Sequence, residues 1–98
     1  MDIRSLEPKI NDAARLMDML SQPARLKILC LLVDGEASVQ ALADSVRATQ
    51  PAVSHHLKKL RDASLVKTRR DAQTIYYSLH GVEVTAIIKV LHHLYCEK

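Results

Sequence analysis

The sequence predicts a mainly α-helical single domain that carries one small β-hairpin. The chain has 98 residues, the size of one domain. Apolar residues make up 48% of it and aromatic residues only 3%, without Phe or Trp. An aliphatic core suits packed helices better than a sandwich or a barrel. Five segments have helical spacing, and two strand-like segments lie between the fourth and the fifth.

The first two helices are predicted over residues 3–20 and from Pro23 onward. In the first, apolar residues recur at alternating intervals of three and four, which is typical of a helix-packing seam. These residues are Ile3, Leu6, Ile10, Ala13, Met17 and Leu20. Pro8 falls in its first turn. Ser21 is the expected N-cap of the second helix, whose apolar body predicts a central, buried position.

The third and fourth helices are short and form a helix-turn-helix pattern. Ser38 is the expected N-cap of the third helix, and a break follows at Arg47 and Ala48. Thr49 is the expected N-cap of the fourth, with Pro51 in its first turn. The basic residues of the fourth helix are Lys58, Lys59 and Arg61. Two short helices joined by a brief turn, the second of them basic, are typical of DNA-binding proteins.

A β-hairpin and a final helix complete the chain. Residues 65–70 are predicted as a strand that ends in two arginines, residues 71–73 as the turn, and residues 74–79, which are β-branched and aromatic, as the return strand. The last helix covers about 82–96, with an apolar face broader than one packing partner needs. Together with the seam on the first helix, it predicts a homodimer formed by the terminal helices. Four helices, a hairpin and a fifth helix make one winged helix-turn-helix domain over residues 1–98.

Positive charge is concentrated around the fourth helix and the hairpin. Residues 47–70 contain seven basic residues and one acidic residue, a net charge of +6. Because the whole chain carries +3, the remainder carries −3. Such clustering on a small domain predicts binding to nucleic acid, here double-stranded DNA. A charged face that serves only solubility is the alternative at this point.

The residues expected to contact DNA follow from the geometry of a recognition helix. Such a helix presents short polar side chains near its N-terminus to the major groove. Here they belong to Thr49, Gln50, Ser54 and His55. Gln50 has the donor and acceptor that pair with adenine. Lys58 and Arg61 would hold the phosphate backbone. Arg69 and Arg70, on the hairpin, would reach the flanking minor groove or its phosphates.

Other classes of function find little support in the sequence. Ser54, His55 and His56 are adjacent on one helix without a positioned carboxylate, so they do not form a catalytic triad, and no nucleotide-binding motif is present. We therefore do not expect an enzyme. No signal peptide and no membrane-spanning stretch are visible. Two cysteines are too few for a disulfide framework, and we expect a cytoplasmic protein that does not bind membranes.

Three segments of the chain resemble the ArsR/SmtB family of winged-helix repressors. They are Ser21–Leu26 with Ile28 and Leu29, Gln50–Arg61, and Tyr77–Leu79. The resemblance implies a homodimer formed by the first and last helices, which binds a palindromic operator and is released by an inducer. It places DNA reading on Gln50, Pro51, Ser54 and His55. Ser64 departs from the family, which usually has Gly at this helix exit, and a left-handed conformation is somewhat costly for Ser.

One class of inducer in that family is a metal ion. Its thiolate sites use a Cys-x-Cys pair on the third helix, where this chain has Ser38 and Gln40. A second family site lies on the last helix and is completed across the dimer. The corresponding positions are His80, Val82, His93 and Cys96. Zinc sites want four donors, whereas only three of these residues can bind a metal. Zinc is therefore kept as an alternative cofactor, with His80, His93 and Cys96 as its ligands and with Glu83, His92 and Glu97 as nearby substitutes.

The other class of inducer is an oxidant or a reactive sulfur species. The chain most resembles the sulfide- and redox-responsive subgroup, which includes BigR, SqrR and HlyU. The matching segments are Ile28–Cys30 with Leu32, Arg70–Thr74 and Leu91–Cys96. This resemblance implies that Cys30 and Cys96 are the sensing pair. A disulfide or polysulfide link between them would shift the last helix and change DNA affinity. His92 and His93 would help to generate the thiolate.

Two alternatives stay open at this point. Cys30 could be a small core residue of an apolar helix, and Cys96 an inert residue near the chain end. An antisilencing activator would use the same DNA-binding surface as a repressor.

Overall fold

The computed structural model describes residues 1–96 as five α-helices and a three-stranded antiparallel sheet. The elements, in chain order, are α1 (Ile10–Leu20), α2 (Pro23–Leu32), β1 (Ala37–Ser38), α3 (Val39–Val46), α4 (Gln50–Asp62), β2 (Val66–Asp71), β3 (Thr74–Leu79) and α5 (Val82–Tyr95). The predicted winged helix-turn-helix order is confirmed. Strands β2 and β3, with the turn between them, form the wing.

The first helix is shorter than its sequence pattern predicted. Two 3-10 turns, Ile3–Ser5 and Glu7–Lys9, precede α1, which begins only at Ile10. Pro8 lies in the second turn, where its ring removes one N–H donor and disfavours an α-helical conformation of the preceding residue. The apolar pattern therefore continues across two kinds of helix, and the prediction of one continuous helix was wrong.

A buried arginine, and not the predicted serine cap, joins α1 to α2. Ser21 donates from Oγ to the Asp18 carbonyl at 2.7 Å, and Gln22 is the N-cap, without a side-chain hydrogen bond. Arg25, which is 6% exposed, donates to the carbonyl oxygens of Met19 at 2.8 Å and Asp18 at 3.2 Å. A cation is favoured at a helix C-terminus because unpaired carbonyls converge there. Arg25 therefore fixes this corner.

The helix-turn-helix has the caps that its sequence predicted. Ser38 Oγ accepts from the Ala41 amide and Thr49 Oγ1 accepts from the Ala52 amide, each at 3.2 Å. Arg47 ends α3 in the left-handed conformation, at φ 57°. Local residues thus determine where α3 and α4 begin and where α3 ends.

The end of α4 requires a left-handed residue. The Leu65 amide donates to the Leu60 carbonyl, and the Ser64 amide donates to the Arg61 carbonyl, both at 2.9 Å. This is the Schellman pattern, and Ser64 has φ 62°. The position that departs from the family's glycine therefore does adopt the conformation that favours glycine.

The sheet has one strand more than the sequence predicted. In β1, Ala37 lies opposite Tyr77 and Ser38 lies opposite Tyr76, so the strand order is β1-β3-β2. A strand of two residues shows no alternation, and Ser38 already serves as the cap of α3. The extra strand joins the segment before α3 to the wing.

All five helices and β2 contribute to one apolar core. The largest contributions come from α2 and α4, through Ile28, Leu29, Leu32, Val53, Leu57 and Leu60. The terminal segments leave other apolar side chains exposed. These include Ile3, Ile10, Met17, Val82, Val90, Leu94 and Tyr95. The broad apolar face predicted at both ends of the chain is therefore present.

Candidate nucleic-acid interface and cysteine pair

Every predicted DNA-binding residue on α4 is exposed. One stripe, with its members one turn apart, consists of Gln50, Ser54, Lys58 and Arg61. Pro51 and His55 lie on the face that points away from the core. This orientation follows because Val53, Leu57 and Leu60 are fully buried on the other side of the helix. The structure thus brings together the residues that sequence reasoning grouped.

The start of α4 combines the backbone amides of its first turn with the exposed side chain of Gln50. Thr49 uses its hydroxyl oxygen to accept from the Ala52 amide, so it holds the start of the helix. The unpaired amides of a first turn favour phosphate. Gln50, the first residue of α4, is exposed there. This end of α4 can therefore hold a phosphate and read a base edge side by side.

The cations of the predicted interface differ in their pairing. Lys58 Nζ lies 3.5 Å from Asp62 Oδ2, with both side chains well exposed, and such a surface pair contributes little. Among residues 1–96, no carboxylate lies within ion-pair distance of Arg61 or Arg70. These two arginines can therefore meet a phosphate without breaking an ion pair.

His56 packs into the fold while His55 faces outward. The two rings are 5.9 Å apart. Nδ1 of His56 is buried and, within residues 1–96, has no hydrogen-bond partner. Burial lowers the pKa of His56, and the positive charges of Arg25, His55 and Lys59 lower it further. His56 is therefore a neutral packing residue beside the buried Arg25.

On the wing, Arg69 is held by a carboxylate that sequence reasoning missed. Its Nη2 donates to Glu36 Oε1 at 2.6 Å and its Nε donates to Oε2 at 3.0 Å. The guanidinium carbon lies 4.8 Å from the ring centre of Tyr76. The hydrogen bond from Arg69 lowers the pKa of Glu36. Arg70, the next residue, projects from the opposite face of the strand.

The two cysteines lie on α2 and directly after α5, and Cys30 lines a groove between these helices. Cys30 lies on α2, is exposed and is a free thiol, as is Cys96 at the end of α5. The prediction that α2 is buried was therefore wrong on this side, and so was the alternative that Cys30 is a small core residue. Burial of part of the Cys30 thiol raises its pKa, and the negative charge of Cys96 raises it further. The thiols are thus close enough to influence each other.

The groove beside Cys30 has a volume of about 380 Å³. From α2 and the turn after it, the groove is lined by Cys30, Val33 and Asp34, and from α5 by Ile88, Lys89 and His92. Movement of α5 relative to α2 would open or close it. His92, one of the two expected activating histidines, lies on the same groove as Cys30.

The alternative metal ligands are not brought together in one chain. Within residues 1–96, no three His, Cys, Asp or Glu side chains could hold a metal ion. His80 precedes α5 and His93 lies near its end, so the helical rise separates their backbones by about 20 Å. Glu97, one of the nearby substitutes, lies outside the described residues.

In the same described part of the chain, no helix is long and apolar enough to cross a bilayer.

The chain is similar to bacterial regulators along almost its whole length. Residues 22–68 match the family model for bacterial regulatory proteins of the arsR family. The transcriptional activator HlyU of Vibrio cholerae is 41% identical over 97 residues, which cover 99% of this chain and 90% of that protein. The structure of reduced HlyU from this organism aligns with a TM-score of 0.89 at 42% identity, over 95% of this chain and 98% of that chain.

Two further structures show the same fold in a repressor and in a homodimer. The transcriptional repressor BigR from Xylella fastidiosa aligns with a TM-score of 0.91 at 34% identity, over 100% of both chains. A homodimeric winged helix-turn-helix DNA-binding domain from Mycobacterium bovis, a possible ArsR-family regulator, aligns with a TM-score of 0.80 at 28% identity. It covers 96% of this chain and 85% of that chain.

Proposed function

Since this chain belongs to the arsR family and is a DNA-binding transcriptional regulator, we propose that it acts as a homodimer whose DNA affinity falls when Cys30 and Cys96 become linked. One observation carries the thiol part of this proposal. Cys30 of α2 and His92 of α5 line one groove, and Cys96 follows His92 by one helical turn, although 66 positions of chain separate the two cysteines. The negative charge of Cys96 also raises the pKa of Cys30.

The dimer part rests on the exposed apolar side chains of the terminal segments. Val82, Val90, Leu94 and Tyr95 of α5 are each more than half exposed, which is unfavourable in water for a contiguous face. A two-fold partner would cover this face and place two copies of α4 in successive major grooves, as palindromic operators require. The relative from Mycobacterium bovis is itself homodimeric.

DNA binding is assigned to the N-terminal half of α4, its basic C-terminal half and the wing. Gln50, Ser54 and His55 read bases, while Lys58 and Arg61 hold phosphates. Thr49 and Pro51 shape the start of the helix. Among the relatives are a protein named as an activator and one named as a repressor, and operator binding is a step that either role requires.

The link between the cysteines forms by thiol exchange with a persulfide, RSSH. One cysteine thiolate attacks the outer sulfur and displaces RS⁻, which leaves as RSH after taking a proton. The second thiolate then attacks the protein-bound sulfur and expels sulfide. In sum, two thiols and RSSH become one disulfide, RSH and H₂S. With peroxide, a sulfenic acid replaces the first intermediate and the leaving groups are water.

The link would act on DNA through α5. A disulfide holds the two Cα atoms about 5–6 Å apart, so it would fix the end of α5 against α2 across the groove. Because α5 also carries the proposed dimer face, its movement would change the distance between the two α4 helices. The proposed inducer is therefore a reactive sulfur species or an oxidant.

Binding to a duplex of about 30 base pairs, selected in vitro by the reduced wild-type protein, tests this proposal. Glutathione persulfide or peroxide should weaken binding by the wild type and leave Cys30→Ser and Cys96→Ser unaffected. The double serine variant controls for oxidation of methionine. An equal loss of affinity in that variant, or the absence of any Cys30–Cys96 link in the treated wild type, would refute the switch.

A further inference from the structure

We propose that Glu36 is a positioning residue for DNA binding. Together with Arg69 it holds the wing against the segment that leads into α3, and the wing then contacts DNA through Arg70. The inference rests on the proposed DNA-binding function. It replaces the sequence-based assignment of Arg69 to a direct DNA contact.

The contacts of Arg69 are those of a fixed side chain. Two nitrogens of its guanidinium face both carboxylate oxygens of Glu36, at 2.6 Å and 3.0 Å. The same guanidinium lies over the ring of Tyr76, 4.8 Å from its centre. A planar fork that is both doubly hydrogen-bonded and stacked has a defined orientation. The pair as a whole is neutral, so Arg69 would have to leave Glu36 before it offered a charge to phosphate.

The position of this ion pair in the sheet explains what it would hold. Glu36 immediately precedes β1, and Arg69 lies on β2, opposite Tyr76 of the central strand. The pair therefore crosses β3 and joins the two outer strands. Because β1 runs directly into α3, through the cap residue Ser38, the angle of the wing is tied to the helix-turn-helix. Arg70 lies on the other face of β2.

The substitution Glu36→Gln separates the two roles of Arg69 by the sign of its effect. It removes a negative charge and the charged acceptor of Arg69. If Arg69 contacts DNA, freeing it should tighten binding and steepen the dependence on log salt by about 0.9. If the pair positions the wing, binding to the selected duplex should weaken by about fivefold, the upper limit for the contribution of an exposed ion pair, with an unchanged salt slope. The control is Glu7→Gln, which removes the same single negative charge from the 3-10 turn before α1.

A charge exchange provides the second arm. The double variant Glu36→Arg with Arg69→Glu restores the pair with its charges exchanged. It should bind within about threefold of the wild type, a smaller loss than breaking an exposed ion pair would cause. The single variant Arg69→Glu should bind much more weakly. A double variant as weak as Arg69→Glu, or Glu36→Gln binding as tightly as the wild type, would overturn the inference. Failure of the wild type to bind any duplex would instead refute the proposed function.

Discussion

Replacing Ser64 with glycine should stabilise the protein. Ser64 holds φ 62° at the end of α4, and its side chain is exposed. The left-handed conformation costs an L-residue roughly 1–2 kcal/mol. Glycine adopts it freely but is more flexible in the unfolded chain, which offsets about 0.5 kcal/mol of the gain. The net stabilisation is about 1 kcal/mol, or a rise in Tm of about 5 °C for a domain of this size.

Thermal unfolding followed by circular dichroism measures this effect, at one fixed protein concentration because dimers melt at concentration-dependent temperatures. The matched control is Ser54→Gly. Ser54 is also exposed but lies in the interior of α4, where glycine should lower stability by about 0.5–1 kcal/mol. Opposite signs for the two variants are the expected result. A Tm of Ser64→Gly at or below that of the wild type would refute the reasoning.

Three further predictions concern charge. Arg70→Gln should reduce the slope of log affinity against log salt by about 0.9, while Arg15→Gln on α1 leaves it unchanged; an unaltered slope for Arg70→Gln would exclude a phosphate contact. The pKa of His56 is lower in the folded chain than its unfolded-state value of about 6.5. The stability that the neutral His56 ring contributes is therefore complete above the unfolded-state pKa, and it is lost as the pH falls toward the folded-state pKa. The stability of His56→Leu, measured by urea unfolding from pH 7 to 5, should therefore fall less than that of the wild type, and parallel curves would contradict this. The rate of Cys30 alkylation by iodoacetamide should rise with pH, and the midpoint of this rise should lie above the ordinary thiol pKa because burial and Cys96 raise the pKa of Cys30. Cys96→Ser removes the opposing charge and should move this midpoint to lower pH. An unmoved midpoint would show that the thiols are not neighbours.

Local chemistry made much of the fold predictable. The caps Ser38 and Thr49 each bond to an amide three residues ahead, so the sequence around them contains all the information needed. The strands of the wing and the apolar stripe of α5 are likewise local patterns. The exposed stripe on α4 followed because the buried positions of one helix determine which residues remain outside.

The features that sequence reasoning missed depend on contacts between distant residues. Glu36 and Arg69 are 33 positions apart, and β1, the strand beside Glu36, is too short to show alternation. The contact of Arg25 with the carbonyl oxygens of Met19 and Asp18 is closer in sequence, but it also joins two elements, because those carbonyls belong to the end of α1. The approach of Cys96 to Cys30 has no local signal either; only a resemblance to known regulators suggested it.

The most direct test of the thiol switch compares two forms of the same wild-type protein. The disulfide form is isolated, its Cys30–Cys96 bond is verified by mass spectrometry, and its affinity for the selected duplex is measured by fluorescence anisotropy before and after reduction. The switch predicts weak binding before reduction and full recovery afterwards. Equal affinities of the linked and the reduced form would contradict it.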